Sequence, residues 1–101
     1  MEKLKNLLEL KPGQKVIHFE HGWPTEFTFL MMCPGNIDVA YLQDFWGNPV
    51  SLHRVEIEEL GAEWYIQFTD LQVYKYRMQY YEEMATKFRG LYQKLLNIIN
   101  P

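Results

Sequence analysis

The residues whose types could do chemistry are few, and their spacing argues against a reaction centre. His18-Phe19-Glu20-His21 invites a metal reading, with Cys33 and His53 as further ligands. In an extended strand, however, His18 and His21 point to opposite faces. The hydrophobic pattern also sets His53 in the row of Phe29, four residues from Cys33 along a strand. Four residues span about 13 Å, whereas zinc ligands converge within roughly 2.0–2.3 Å of one ion. The same distance separates Cys33 from His53 as a nucleophile and its base. Ser51 is the one serine and stands in no G-x-S-x-G elbow. Glu56, Glu58 and Glu59 read as a solvated charge run, and the six glycines form no phosphate-cradling loop. No catalytic residue, metal or cofactor is expected.

Composition narrows the class. The chain has 101 residues, 48% of them hydrophobic and 16% aromatic, as in a globular protein of one domain. Cys33 is the single cysteine, so no intramolecular disulfide forms, and no apolar run is long enough for a signal peptide or a membrane span. Both features point to the cytoplasm. The net charge of −3 is unevenly spread. Residues 16–68 hold eight acids and only Arg54 as a base, while both ends are basic. An acidic centre repels phosphates, which makes nucleic acid an unfavoured partner for that region.

The elements that must position these residues follow from periodicity. Leu4, Leu7, Leu8 and Leu10 fall at helical spacing and predict a short amphipathic helix within residues 1–11, stopped by Pro12-Gly13. From residue 14 the period becomes two. Ile17 and Phe19, then Phe27 to Cys33, Ile37 to Tyr41, His53 to Ile57, and Glu63 to Phe68 predict four or five strands. Turn signals at Gly22-Trp23-Pro24, Pro34-Gly35-Asn36 and Gly47-Asn48-Pro49 join them into an antiparallel meander over residues 14–68. Pairing Ile17 with Phe29, Met31 with Val39, and Tyr41 with His53 keeps apolar residues on one face. The other face carries Val16, Leu30, Met32, Ala40, Leu42 and Leu52, and it too needs a cover.

The candidate cover is a helix over residues 69–100. Leu71, Tyr74, Met78, Tyr81, Ala85, Phe88, Tyr92, Leu95 and Ile99 follow alternating steps of three and four. Thr69 and Gln72 have the spacing of a capping box. A helix of about 29 residues is roughly 44 Å long, whereas a seven-residue strand spans about 23 Å. The helix should therefore overhang the sheet and leave apolar positions for the N-terminal helix or for a second copy in a homodimer. The fold class is α+β.

Leu10-Lys11-Pro12-Gly13-Gln14-Lys15-Val16 resembles the opening of small SH3-like barrels, in which a Pro-Gly turn delivers the first strand. The resemblance covers about half the chain, residues 10–68, and implies a small barrel that binds peptides, proteins or nucleic acids. The chain is also similar to short proteins of bacterial or phage genomes, which makes an accessory protein or an inhibitor of a host protein one form of the binding reading.

In such a meander the first and third loops emerge at one end, on strands about 10 Å apart. They carry His21, Trp23 and Pro24, and Asp44, Phe45 and Trp46. Clustered aromatics offer large contact area with a polar handle, as a protein-binding anchor requires. The expectation is a non-enzymatic module that binds a protein partner through these loops. The alternative is a nucleic-acid-associated protein using the basic residues of the helix and the N-terminus.

Overall fold

The computed structural model describes residues 1–99, so the expected helix end at Asn100 before Pro101 lies outside the described residues. The elements are β1 (Glu2–Lys3), β2 (Lys15–Glu20), β3 (Trp23–Cys33), β4 (Asn36–Gln43), β5 (Pro49–His53), α1 (Arg54–Glu58), β6 (Trp64–Ile66) and α2 (Asp70–Ile99). One antiparallel sheet runs in the order β1-β6-β2-β3-β4-β5. It is open, with β1 and β5 as edges, and does not show the closure of an SH3-like barrel.

The turns decide the register. His21 (φ 52°) and Gly22 (φ 87°) form a two-residue turn between β2 and β3. Two consecutive positive φ values match the twist of a tight hairpin. Trp23 and Pro24 therefore belong to β3, opposite Glu20 and Phe19, rather than to the loop. Ile17 faces Glu26 instead of Phe29, an odd-numbered shift that moves Phe27 and Phe29 to the other side of the sheet. In the second hairpin Met31 pairs with Tyr41, after an irregularity at Leu30. In the third, Val39 rather than Tyr41 opposes His53.

The main core lies on the face of Val16, Phe27, Phe29, Ala40, Leu42, Leu52, Trp64 and Ile66. Its cover is the chain's N-terminal segment with Ile57 of α1, not the C-terminal helix. Residues 2–10 do not form the expected helix. Leu4 donates its backbone N–H to the Trp64 carbonyl at 2.7 Å, which extends the β1–β6 pairing. Asn6 then caps a single 3-10 turn at Leu7–Glu9. This path buries Leu4, Leu7 and Leu10 and leaves Leu8 outside. A continuous helix could not place all three while also pairing with β6.

His53 to Ile57 is likewise not a strand. β5 ends at His53, and the Glu56 carboxylate accepts the His53 backbone N–H at 2.7 Å. That bond starts the one-and-a-half turns of α1, which bury Ile57 and expose Val55.

α2 crosses the second face. Thr69 and Gln72 form the expected reciprocal cap, with bonds of 2.9 and 3.2 Å. The face that meets the sheet is not the predicted stripe. Val73 is buried, Arg77, Tyr80 and Met84 are half-buried, and the Tyr76 ring packs on Phe19. Leu71, Tyr74, Met78, Tyr81, Phe88, Tyr92, Leu95 and Ile99 are between 57% and 79% exposed. At 100° per residue, the stripe is turned roughly 100° from the docking side. Beyond Met84 the helix leaves the sheet, giving the molecule a 65 Å long axis against 26 and 25 Å across. No helix among the described residues is long and apolar enough to cross a membrane.

Candidate functional site

The structure separates the residues expected to gather at one end. Gln43, the last residue of β4, pairs with Thr28, so residues 23–27 of β3 run on past the end of β4. Trp23 lies five residues beyond Thr28, about 17 Å along the strand. The two aromatic groups are therefore distinct.

The first group is folded onto the helix. Trp23 stacks edge-on against Tyr80 (5.3 Å between centroids) and Tyr81 (5.5 Å), and the Arg77 guanidinium lies 5.3 Å from its ring centre. Arg77 also sits 4.0 Å from a Glu26 oxygen and 5.8 Å from the Tyr74 ring centre. Pro24 is fully buried, and His21 is spent on the turn.

The second group is free. Phe45 and Trp46 are 82% and 81% exposed, with their rings edge-to-face at 5.2 Å. Asp44 builds the loop that presents them. One of its carboxylate oxygens accepts the backbone N–H groups of Trp46 (2.9 Å) and Asn48 (2.8 Å). Its backbone N–H donates to the Asn48 carbonyl, its own carbonyl accepts from Gly47, and the Gln43 side-chain amide donates to the Gly47 carbonyl. Gly47 has φ 84°, which suits glycine in so tight a loop. The rings thus stand on a hydrogen-bonded tip. Beside its base is a shallow recess bounded by Lys15, Glu26, Thr28 and Gln43.

A larger groove opens between β2, β6 and α2. It has a volume of about 570 Å³ and is walled by Phe19, Tyr65, Tyr76 and Tyr80, with Glu63 and Glu83 at its margins. Burial, then the nearby Glu63 carboxylate and Tyr76, raise the Tyr65 phenol above its ordinary 10.0. A phenol with a raised folded pKa favours folding below its unfolded pKa, and this contribution disappears as pH climbs through the folded value. Absorbance titration should therefore show two tyrosines ionising above the ordinary range, Tyr65 and the Cys33-bonded Tyr41, and Glu63→Gln should lower the midpoint of the first alone. A Tyr65→Phe variant that leaves the amplitude of the late component unchanged would contradict the assignment.

The ligands considered for a metal have separate tasks. His18 stacks on Trp64 at 4.5 Å, with Nδ1 3.1 Å from the Glu63 carbonyl. Cys33 Sγ accepts the Tyr41 hydroxyl at 3.2 Å, and that bond raises the Tyr41 pKa. Opposite Val39, His53 comes closer to the row of Cys33 than expected, though two strands away, about 10 Å. Among the described residues no three His, Cys, Asp or Glu side chains converge as a metal site. Arg54 ties Asp38 (2.9 Å) to Glu58 (3.5 Å), an exposed network that includes one of the three glutamates of the acidic run. No protein family, curated protein or solved structure matches this chain.

Proposed function

We propose that this protein is a small non-enzymatic interaction module that binds a protein partner through the Phe45–Trp46 tip of the β4–β5 hairpin. One observation carries the reading: two large aromatic rings are held in water on a loop that hydrogen bonds have already ordered. Exposed aromatics have a hydration cost that only a partner relieves, and a pre-formed loop loses little entropy on docking. Tryptophan is among the side chains most enriched at the energetic centres of interfaces. The recess beside the tip offers Lys15 and Glu26 for polar contacts at the rim. His21, Trp23 and Pro24 belong to the separate β2–β3 hairpin, which Trp23 braces against the helix through Tyr80 and Tyr81.

The test uses Phe45→Ala with Trp46→Ala. The rings pack on one another and are 82% and 81% exposed, so stability should change by no more than about 0.5 kcal/mol per site. Affinity for a partner isolated with the wild-type protein should fall about 30-fold or more. Undiminished capture of that partner by the folded double variant would refute the tip as its docking point.

A further inference from the structure

Apart from Tyr81 against Trp23 and Tyr74 beside Arg77, the strongest pattern in the chain is left facing water within one copy. Leu71, Tyr74, Met78, Tyr81, Ala85, Phe88, Tyr92, Leu95 and Ile99 occupy the first and fourth places of successive heptads over four repeats. That is the pattern of a coiled-coil seam rather than of a helix lying on a sheet. All nine are exposed.

The neighbouring column confirms the difference between the two sides. Val73 and Tyr80, which face the sheet, are followed at the same heptad place by Lys87 and Lys94. The column thus turns charged where the helix leaves the sheet and water takes over. The seam does not. It stays apolar to the last described residue, and Met84, Leu91 and Ile98 widen it on one side.

We infer that the occupant of this seam is the same seam of a second copy, run antiparallel, giving a two-fold symmetric dimer. Aligning the seams about a point between Thr86 and Lys87 opposes Tyr74 to Ile99, Met78 to Leu95, Tyr81 to Tyr92, and Ala85 to Phe88. The small alanine meets the phenyl ring twice by symmetry, so large and small interlock at the centre. Flanking this core, Glu82 opposes Arg89 twice and Met84 opposes Leu91 twice. The tyrosine rings pack in the seam with their hydroxyls at its wet rim.

A parallel pairing would set Ala85 against Ala85 and Phe88 against Phe88. It would also align two acid-free segments, residues 84–99, each carrying Lys87, Arg89 and Lys94. The antiparallel pairing sets that segment against residues 74–89, which hold Glu82 and Glu83 as well as Lys75 and Arg77, so acids are present beside the bases where the parallel pairing has none. The eight paired seam side chains with Met84 and Leu91, at roughly 60–100 Å² each, cover about 600–1,000 Å² per copy. The total of roughly 1,200–2,000 Å² is what a stable interface buries.

Sedimentation velocity and light scattering across a concentration series test this on the full chain. The wild type should be a dimer, and the tip variant Phe45→Ala with Trp46→Ala should dimerise equally, so the two proposals fail separately. Phe88→Asp with Leu95→Asp, both beyond the sheet, should weaken association at least about 100-fold with the far-ultraviolet spectrum of the sheet retained. Glu82→Arg should weaken it roughly two- to tenfold, and adding Arg89→Glu should restore it. A wild type still monomeric at about 100 μM would overturn the inference, as would a mass above the dimer or a dimer indifferent to the seam substitutions. A monomer that takes up a foreign helix on this seam would overturn it as well. Failure of the charge reversal to rescue would overturn the antiparallel arrangement.

Discussion

Replacing Leu4 and Leu7 together with alanine is expected to unfold the protein, although both lie in a ten-residue segment with almost no regular structure. Their side chains are 0% and 1% exposed and belong to the same cluster as Leu42, Leu52 and Trp64. A buried leucine cut to alanine costs about 2–5 kcal/mol, through lost transfer energy and the cavity left behind. Two such losses approach or exceed the roughly 5–15 kcal/mol that holds a domain of this size together. The segment also has little ability to collapse onto the void, because the Leu4 N–H to Trp64 carbonyl bond ties it to β6. Circular dichroism and urea titration would show a midpoint near zero denaturant. Leu8→Ala, at an exposed position of the same segment, should change stability by less than about 0.5 kcal/mol and serves as the control. If the double variant kept a wild-type midpoint, the N-terminal segment would not be the cover of the core.

The second large effect separates the tryptophans. Trp23→Ala should destabilise the fold by about 2–3 kcal/mol, somewhat under the range for a fully buried tryptophan because this ring is half-buried. The loss comprises the Tyr80 and Tyr81 contacts and the Arg77 cation–π contact. It would also leave the half-buried Arg77 with the 4.0 Å Glu26 approach and the face of Tyr74. Trp46→Ala should be neutral to stability, since the ring is 81% exposed. Denaturation midpoints compared under one buffer decide between the outcomes. Equal, negligible effects at both positions would mean that Trp23 does not brace the helix, and it would return to the set of recognition residues. Trp23→Phe should recover more than half of the loss by restoring an aromatic edge to Tyr80.

Phe45 and Trp46 were legible as a pair from their turn residues, because Asp44 and Gly47-Asn48-Pro49 read as a loop in any register. Their separation from Trp23 was not. It depends on β4 stopping at Gln43 while β3 runs five residues further, and strand ends follow pairing rather than propensity. The His21-Gly22 turn was hidden for a related reason. Pro24 looks like a turn residue, yet it is tolerated in β3, where no β4 neighbour requires its missing N–H. The groove of Phe19, Tyr65, Tyr76 and Tyr80 had no sequence signal, since Phe19 stands far in the chain from the other three walls.

Local chemistry in the chain was enough for the α+β class, the antiparallel hairpins, the Thr69–Gln72 cap and the extent of the long helix through Ile99. Each rests on period, turn residues or capping, which act over a few neighbouring positions. Tertiary structure alone decided which face of the sheet is the core, that leucines near the N-terminus cover it, and that the sheet stays open. The cause is that an odd shift in one hairpin exchanges the two faces, and both faces here are apolar enough to be buried. It also decided that the helix docks through Val73 and Tyr80. A stripe of apolar residues fixes that a helix has a sticky side, but not whether the surface it meets belongs to its own chain.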